Sequence, residues 1–210
     1  MRSILRYGGV AASVVLIALG IGAIVVGFSG RSEVSDNLKQ EAIVGTPDMT
    51  PAAIAREAKA AGLTNVSLPT CSVAGQTVDT GSEARCFASY MRVHALEATG
   101  GQTYAEMPRY ATADGKGTND AASALTRSGQ PVDNPARNVW VTETALSTAL
   151  NTSYFAQSVA LFAIVMGAAL LLTGIGFLLL TTGLLAATGK AVRERRASAP
   201  EPTSAHPAAS

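Results

Sequence analysis

The sequence is poor in the residues that build nucleic-acid-binding surfaces and thick hydrophobic cores. Its 16 basic and 15 acidic side chains leave a formal charge of +1, and aromatic residues make up only 5% of the 210 residues. Binding of a phosphate backbone needs a clustered basic surface, so this balance argues against nucleic acid as a partner. An alanine-rich chain with few aromatics favours helices around a thin core.

Histidines and catalytic motifs are also scarce. The two histidines are His94 and His206, and the sequence contains no H-E-x-x-H, G-x-S-x-G or P-loop motif. A single histidine in an apolar helix is more often packed and hydrogen-bonded than catalytic, so we expect a structural role for His94. The sequence therefore predicts no catalytic, cofactor-binding or metal-binding residue.

Charge is absent from two long apolar runs, residues 7–28 and 154–188. Each run exceeds the roughly 20 residues that cross a bilayer as a helix. A cleaved signal peptide is the alternative for the first run. However, that run is longer than the usual apolar region of about 7–15 residues, and no A-x-A site follows it. We therefore predict two retained transmembrane helices.

Basic residues at the outer ends of these runs predict the topology. They flank the start of the first run and the end of the second, whereas only Arg31 and Lys39 lie near the other ends. The positive-inside rule then places both termini in the cytoplasm and the central residues outside the plasma membrane. The basic side chains that set topology and contact anionic headgroups are Arg2, Arg6, Lys190, Arg193, Arg195 and Arg196.

The predicted fold class is mostly α: a two-helix transmembrane hairpin with a helical, disulfide-containing extracytoplasmic domain in the connecting loop. The predicted parts are a cytoplasmic N-terminus (1–6), the first span (7–28), the extracytoplasmic domain (29–153), the second span (154–188), and a basic segment with a disordered tail (189–210).

Small residues spaced four apart in both runs predict close helix packing. Such pairs let helix backbones approach each other in lipid, and self-association is the alternative to packing within the hairpin. The predicted packing residues are Ala18, Gly22, Ala23, Gly27, Ala163, Gly167, Gly183 and Ala187. Ionisable residues are absent from both runs, which argues against a transporter or channel.

Local signals predict the helices of the central region. The first span should continue outward to Gly45, and a second helix should occupy Asp48 to Gly62, with Thr50 as its N-cap. A third should occupy residues 80–100, with Thr80 or Ser82 as its cap and Glu83 in its first turn. A short helix is expected over residues 119–127, and a last helix from about Glu143, capped by Thr142.

Cys71 and Cys86 are the only cysteines, and both lie in the predicted extracytoplasmic domain. An even cysteine count in an oxidising compartment predicts one disulfide, which closes a loop of about 15 residues. A metal site formed by these cysteines and His94 is the alternative, but it lacks the four ligands and the spacing of a closed zinc site.

Residues 114–120, DGKGTND, form the most motif-like loop. They lack the oxygen spacing and the distal glutamate of a calcium-binding EF-hand. We expect a glycine turn that caps the next helix, with a loose cation site of Asp114, Asn119 and Asp120 as the alternative.

Several stretches together resemble a family of small two-span actinobacterial membrane proteins. They are IVGTPDMTPAAIAREAKAAGL, CSVAGQTVDTGSEARCFASYMRVHALEATGG, MPRYATADGKGTNDAA and PVDNPARNVWVTETALSTALNTSY. The resemblance covers nearly the whole chain except the tail and implies a membrane location. Members often carry the label "aromatic ring-opening dioxygenase". Extradiol ring-openers hold iron with two histidines and a carboxylate, whereas His94 and His206 are predicted on opposite sides of the membrane.

The sequence thus favours a non-enzymatic protein of the bacterial cell envelope that binds a partner or acts as an accessory subunit. Its expected partners are the lipid bilayer and another membrane or envelope protein, or a second copy of itself. A small-ligand sensor is the alternative function, because an uninterrupted pattern from Glu143 to Lys190 joins the outer domain to the second span. A dioxygenase is the other alternative, and it rests on the family label alone.

Overall fold

The computed structural model describes the backbone of residues 2–197 and the side chains of residues 7–183. Within that part the chain is mostly helical, as predicted, with two long apolar helices and one disulfide. The predictions for the Arg2, Arg6, Ala187, Lys190, Arg193, Arg195 and Arg196 side chains, and for residues 198–210, lie outside it.

Four α-helices and one short β-hairpin follow each other along the chain. In order they are α1 (Arg2–Gln40), α2 (Pro51–Ala60), α3 (Gly81–Ala98), a 3-10 turn (Ala121–Ser123), β1 (Thr126–Arg127), β2 (Gln130–Pro131) and α4 (Ala136–Ala197). The described residues form two compact units: residues 2–26 with 163–197, and residues 27–162.

In the first unit α1 and α4 contact each other through small residues. Gly20 and Gly167 lie so close that a Cβ atom built on either would come within 2.8 Å of the other's carbonyl oxygen. Ser13 is fully buried and donates a hydrogen bond to the Gly9 carbonyl oxygen at 2.8 Å. A Cβ atom built on Gly174 would likewise lie 3.0 Å from the Ile17 nitrogen and 3.0 Å from the Ser13 carbonyl oxygen. Close backbone approach at small residues is typical of helix pairs in lipid.

The buried small residues recur every seven positions along both helices. On α1 they are Ser13, Gly20 and Gly27, and on α4 they are Ala160, Gly167 and Gly174. A seven-residue spacing keeps one helix face toward its neighbour, as in a coiled coil. Of the predicted packing residues, Gly27 and Gly167 are buried, and Ala23 and Ala163 are partly buried. Ala18, Gly22 and Gly183 are exposed, and Gly22 and Gly183 have no neighbour within 4 Å of a built Cβ.

The second unit has a core formed mainly by α2 and α3. Ile54 and Tyr90 are fully buried, and Val73 and Val78 from the connecting segment pack with them. A smaller cluster surrounds Trp140 at the start of α4. This thin core agrees with the low aromatic content, because few large side chains are available to fill it.

The disulfide links Cys71 to Cys86, with the two Cα atoms 6.1 Å apart. It joins the segment before α3 to the second turn of that helix. The Tyr90 hydroxyl donates a hydrogen bond to the Cys71 carbonyl oxygen at 2.6 Å and so reinforces the same attachment. Closing a loop of 15 residues stabilises a fold by about 3 kcal/mol in the chain-entropy model.

The predicted caps of α2 and α3 are confirmed. The Thr50 side chain accepts a hydrogen bond from the Ala53 N–H, and Gly62, with φ +68°, ends the helix in the left-handed conformation. Thr80 and Glu83 form a capping box at the start of α3. Burial raises the pKa of the Glu83 carboxyl, but hydrogen bonds from Asp79 and Thr80 outweigh it and leave that pKa below its usual value.

The predicted end of α1 and the predicted start of α4 are wrong. Helix α1 ends at Gln40 rather than Gly45, because Ala42 adopts a positive φ of 50°. Gly45 instead lies against the Val73 carbonyl, where no side chain fits. Helix α4 begins at Ala136 rather than Glu143. The Asn134 side chain accepts a hydrogen bond from the Ala136 N–H and so caps the helix, which is the role predicted for Thr142.

The prediction of a short helix over residues 119–127 is also wrong beyond the first turn. Asp120 caps a single 3-10 turn, and β1 then pairs with β2 in an antiparallel hairpin. Ser128 and Gly129 both have positive φ, which is the conformation of a two-residue hairpin loop. The Ser-Gly dipeptide is the local signal for this turn.

Replacing Gly167 with alanine tests the close contact in the first unit. Its Cβ would lie 2.7 Å from the Gly20 carbonyl oxygen and 2.9 Å from the Ile24 nitrogen. We expect a loss of about 1–3 kcal/mol from overpacking, measured as thermal unfolding in mild detergent. Gly22→Ala is the matched control and should be neutral or stabilising, because its Cβ meets open space. Equal destabilisation by both substitutions would contradict the contact.

Replacing Glu83 with glutamine tests the capping box. Because the pKa of Glu83 is lowered in the folded protein, its stabilisation is present above about pH 4.5 and is lost as the pH falls through the folded-state pKa. We expect Glu83→Gln to cost about 1 kcal/mol at pH 7 and much less at pH 3, measured by chemical unfolding. The exposed carboxylate of Glu41 provides the control, and Glu41→Gln should change neither value.

Candidate functional site

A groove of about 650 Å³ lies between α3 and the first part of α4, within the second unit. We call it the arginine groove. Its α3 side carries two arginines seven residues apart, and its α4 side carries hydroxyl and amide groups. Its polar lining includes Arg85, Ser89, Arg92, Glu143, Ser147 and Asn151.

A close helix contact sets the width of the groove at one end. Gly81 begins α3, and a Cβ atom there would lie 2.7 Å from the Tyr154 Cα atom. The Gly81 N–H donates a hydrogen bond to the Gln157 side-chain oxygen at 2.9 Å. Only glycine allows α3 to approach α4 this closely, so Gly81 fixes the distance between the two groove walls.

Aromatic rings position both arginines. The Arg85 guanidinium carbon lies 4.7 Å from the centre of the Tyr154 ring, and that of Arg92 lies 5.3 Å from the Trp140 ring. Trp140 is itself fixed, because its indole N–H donates to the Gln102 carbonyl oxygen at 2.8 Å. A guanidinium held over a ring face keeps its N–H edge free to bind an anion.

The groove also contains a buried carboxylate. Glu143 is only 5% exposed and accepts a hydrogen bond from the Ser147 hydroxyl at 2.9 Å. Among residues 7–183, no Lys, Arg or His nitrogen lies within 4.0 Å of it. A buried charge without a paired charge is costly, so a cationic group entering the groove would gain by binding there.

The arrangement therefore offers opposite charges at separate points. Arg85 and Arg92 suit a carboxylate or phosphate, and Glu143 suits an ammonium or guanidinium group. Polar hydroxyls between them can serve as donors and acceptors of hydrogen bonds. Chemically, the arrangement suits a ligand or peptide segment that carries both charges.

The residues singled out in the sequence lie elsewhere in the second unit. Cys71 and Cys86 are joined to each other in a disulfide, so neither offers a free thiolate that could bind a metal ion together with His94. In the 114–120 loop, the Asp114 carboxylate accepts hydrogen bonds from Thr112 and Lys116. The Asn119 and Asp120 side chains accept hydrogen bonds from the backbone N–H groups of Arg109 and Ala122. These hydrogen bonds match the expected turn.

The sequence did not single out the groove residues. Arg85 and Arg92 are seven residues, or about two helical turns, apart. This spacing indicates that they share one helix face, but it does not show which helix packs against that face. Glu143 lies in an ordinary polar stretch, and its burial depends on α3, about 50 residues earlier in the chain. No local pattern in the sequence reports that contact.

Comparison with models of known protein families, with curated proteins and with solved structures found no match for this chain. Membership of the two-span family therefore stays a prediction. The iron site that the family label implies does not fit the residues around His94, because its two ionic neighbours are Asp48 and Glu97. A second histidine is absent from residues 7–183.

Replacing Glu143 with glutamine tests whether the groove holds an unpaired charge. The amide can still accept the Ser147 hydroxyl, while the cost of the buried charge disappears. We expect the free energy of unfolding to rise by about 1 kcal/mol, seen as a melting temperature roughly 2–4 °C higher. Glu41→Gln again serves as the exposed control. A lower melting temperature for Glu143→Gln would show that the charge is already compensated.

Proposed function

We propose that this chain is an integral membrane protein of the bacterial cell envelope that binds a partner through the arginine groove. The groove is the observation that carries the proposal, because it combines positioned arginines with a buried, unpaired carboxylate. The partner segment would supply the complementary charges, a carboxylate for Arg85 or Arg92 and a cation for Glu143.

Exposure of apolar side chains supports the membrane part of the proposal. The segments Tyr7–Gln40 and Ala136–Gly183 are each long and apolar enough to cross a bilayer. Only 11% of the most apolar window of each is buried against the protein. A core helix of a soluble protein would bury those side chains, whereas lipid can cover them.

The order of helix contacts supports a transmembrane hairpin. Along α1, Gly9, Ile17 and Gly20 contact Thr181, Gly174 and Gly167 of α4 respectively. Rising numbers on one helix meet falling numbers on the other, as in an antiparallel pair. With both ends of the chain in the cytoplasm, residues 29–153 would lie outside, where an oxidising environment favours the disulfide.

A small-ligand sensor is the second candidate function. The groove volume of about 650 Å³ falls within the usual range for small-molecule sites. A zwitterion, such as an amino acid, carries both charges that the groove would bind. Helix α4 carries groove residues and apolar residues in one uninterrupted helix, so a ligand bound to its first turns contacts an element that continues into the predicted span.

Thiol labelling in intact cells tests the topology. After mild reduction, a membrane-impermeant maleimide should label Cys71 and Cys86 if the domain is extracytoplasmic. The control is a variant with both cysteines changed to serine and Ser204→Cys introduced in the tail, which should react only after the membrane is permeabilised. The reverse pattern would contradict the proposed orientation.

Site-specific crosslinking tests the partner. A photoreactive amino acid in place of Ser89, inside the groove, should capture a second protein in living cells, and the same residue in place of exposed Asn138 should not. Arg85→Glu and Arg92→Glu should abolish the Ser89 product by reversing the groove charge. A product of equal yield at both positions, or one insensitive to charge reversal, would refute the groove as the docking surface.

If no protein is captured, binding of zwitterionic amino acids to the purified protein in detergent separates the two candidates. Calorimetric binding that Arg92→Glu abolishes would establish the sensor function in place of partner binding. Absence of both binding and capture would refute both.

A further inference from the structure

Three side chains with metal-binding groups come together on the face of α3 away from the arginine groove. Asp48 precedes α2, Glu57 lies within α2, and His94 lies within α3. One ligand atom from each lies within 4.8 Å of the others, and all three residues are partly buried. The three positions span 46 residues of sequence, so their meeting is a product of the fold.

We propose that Asp48, Glu57 and His94 form a binding site for one Zn²⁺ ion per chain. The site is distinct from the arginine groove and does not depend on the proposed function of that groove.

The spacing of the donor atoms suits a metal ion. Two ligands bound to Zn²⁺ at about 2.0 Å and at the tetrahedral angle lie roughly 3.3 Å apart. The His94 Nε2 atom and the Asp48 Oδ2 atom are already 3.0 Å apart. Glu57 has a long, rotatable side chain, so its carboxylate can approach without movement of the helix backbone. Three protein ligands would leave a fourth position for water.

A third carboxylate lies near His94 on the other side of its ring. The His94 Nδ1 atom lies 3.7 Å from a Glu97 side-chain oxygen. Histidines that bind zinc through one ring nitrogen usually present the other to a carboxylate, carbonyl or water, which orients the ring. His94 presents Nε2 to the cluster and Nδ1 toward Glu97, and a small rotation of the Glu97 side chain would bring its carboxylate within hydrogen-bond distance of Nδ1.

The backbone around the cluster is tied in place. The Thr50 N–H donates to the Asp48 carbonyl oxygen at 2.7 Å, so the segment carrying Asp48 is joined to the start of α2. The Met49 carbonyl oxygen accepts hydrogen bonds from Val73 and Ser72, which lie next to the disulfide. A site held on such supports loses little entropy when it binds an ion.

Charge and ligand type select the ion. Asp48, Glu57 and Glu97 bring three carboxylates around one imidazole, so a divalent cation would relieve their repulsion. The imidazole nitrogen favours Zn²⁺ over Mg²⁺ and Ca²⁺, which prefer oxygen ligands.

Zinc titration of the full chain in detergent, purified without a histidine tag, tests the site. With a competing chromophoric chelator, we expect one Zn²⁺ per chain. His94→Gln, Asp48→Asn and Glu57→Gln should each weaken binding at least tenfold. His206→Gln and Asp114→Asn are the matched controls, because they remove the other histidine and an acidic side chain of the 114–120 loop. Both should bind zinc as the native chain does.

A direct measurement avoids reliance on folded variants. With ¹⁵N-labelled histidine in the His206→Gln chain, all imidazole signals come from His94. Saturation with Zn²⁺ should shift its Nε2 resonance, and Mg²⁺ should not. No shift at His94, less than stoichiometric zinc, binding that survives all three site substitutions, or loss of binding in either control would overturn the proposal.

Discussion

The second unit depends on the placement of α3, which is fixed by contacts in its first six residues. Gly81 lies against the α4 backbone and donates to Gln157, while Thr80 and Glu83 close the capping box. One turn later, Cys86 ties the helix to Cys71. Because few large side chains are available for the core, these specific contacts add to hydrophobic burial in holding the helix.

Helix α3 separates two kinds of chemistry on two of its faces. At about 100° per residue, Arg85 and Arg92 point within about 20° of each other, whereas His94 points roughly opposite to Arg85. The first face borders the arginine groove, and the second meets Asp48. Cys86 and Tyr90 lie between those directions and anchor the helix through Cys71. A shift of α3 would therefore alter both surfaces together.

Short-range signals were sufficient for α2, α3 and their caps, but not for the start of α4 or for the sites. Thr50, Pro51 and Gly62 mark the ends of α2 because a cap needs only neighbouring residues. Gly45 was predicted to end α1, but a glycine is needed there because the Val73 carbonyl, 28 residues later in the sequence, packs directly against it. Asp48 and His94, and Glu143 and α3, are likewise brought together only by tertiary packing. The seven-residue spacing of small residues in α1 and α4 was visible in the sequence but was masked by the many other glycines and alanines.

Trp140 has a consequence for anyone who studies this chain in solution. It is the only tryptophan, it is almost fully buried, and its ring carries the Arg92 guanidinium on one face. Indole emission responds to nearby charge, so a group that draws Arg92 away from the ring would alter the colour and intensity of the emitted light. The molecule thus contains a natural optical reporter for the wall of the groove, with no other indole to obscure the signal.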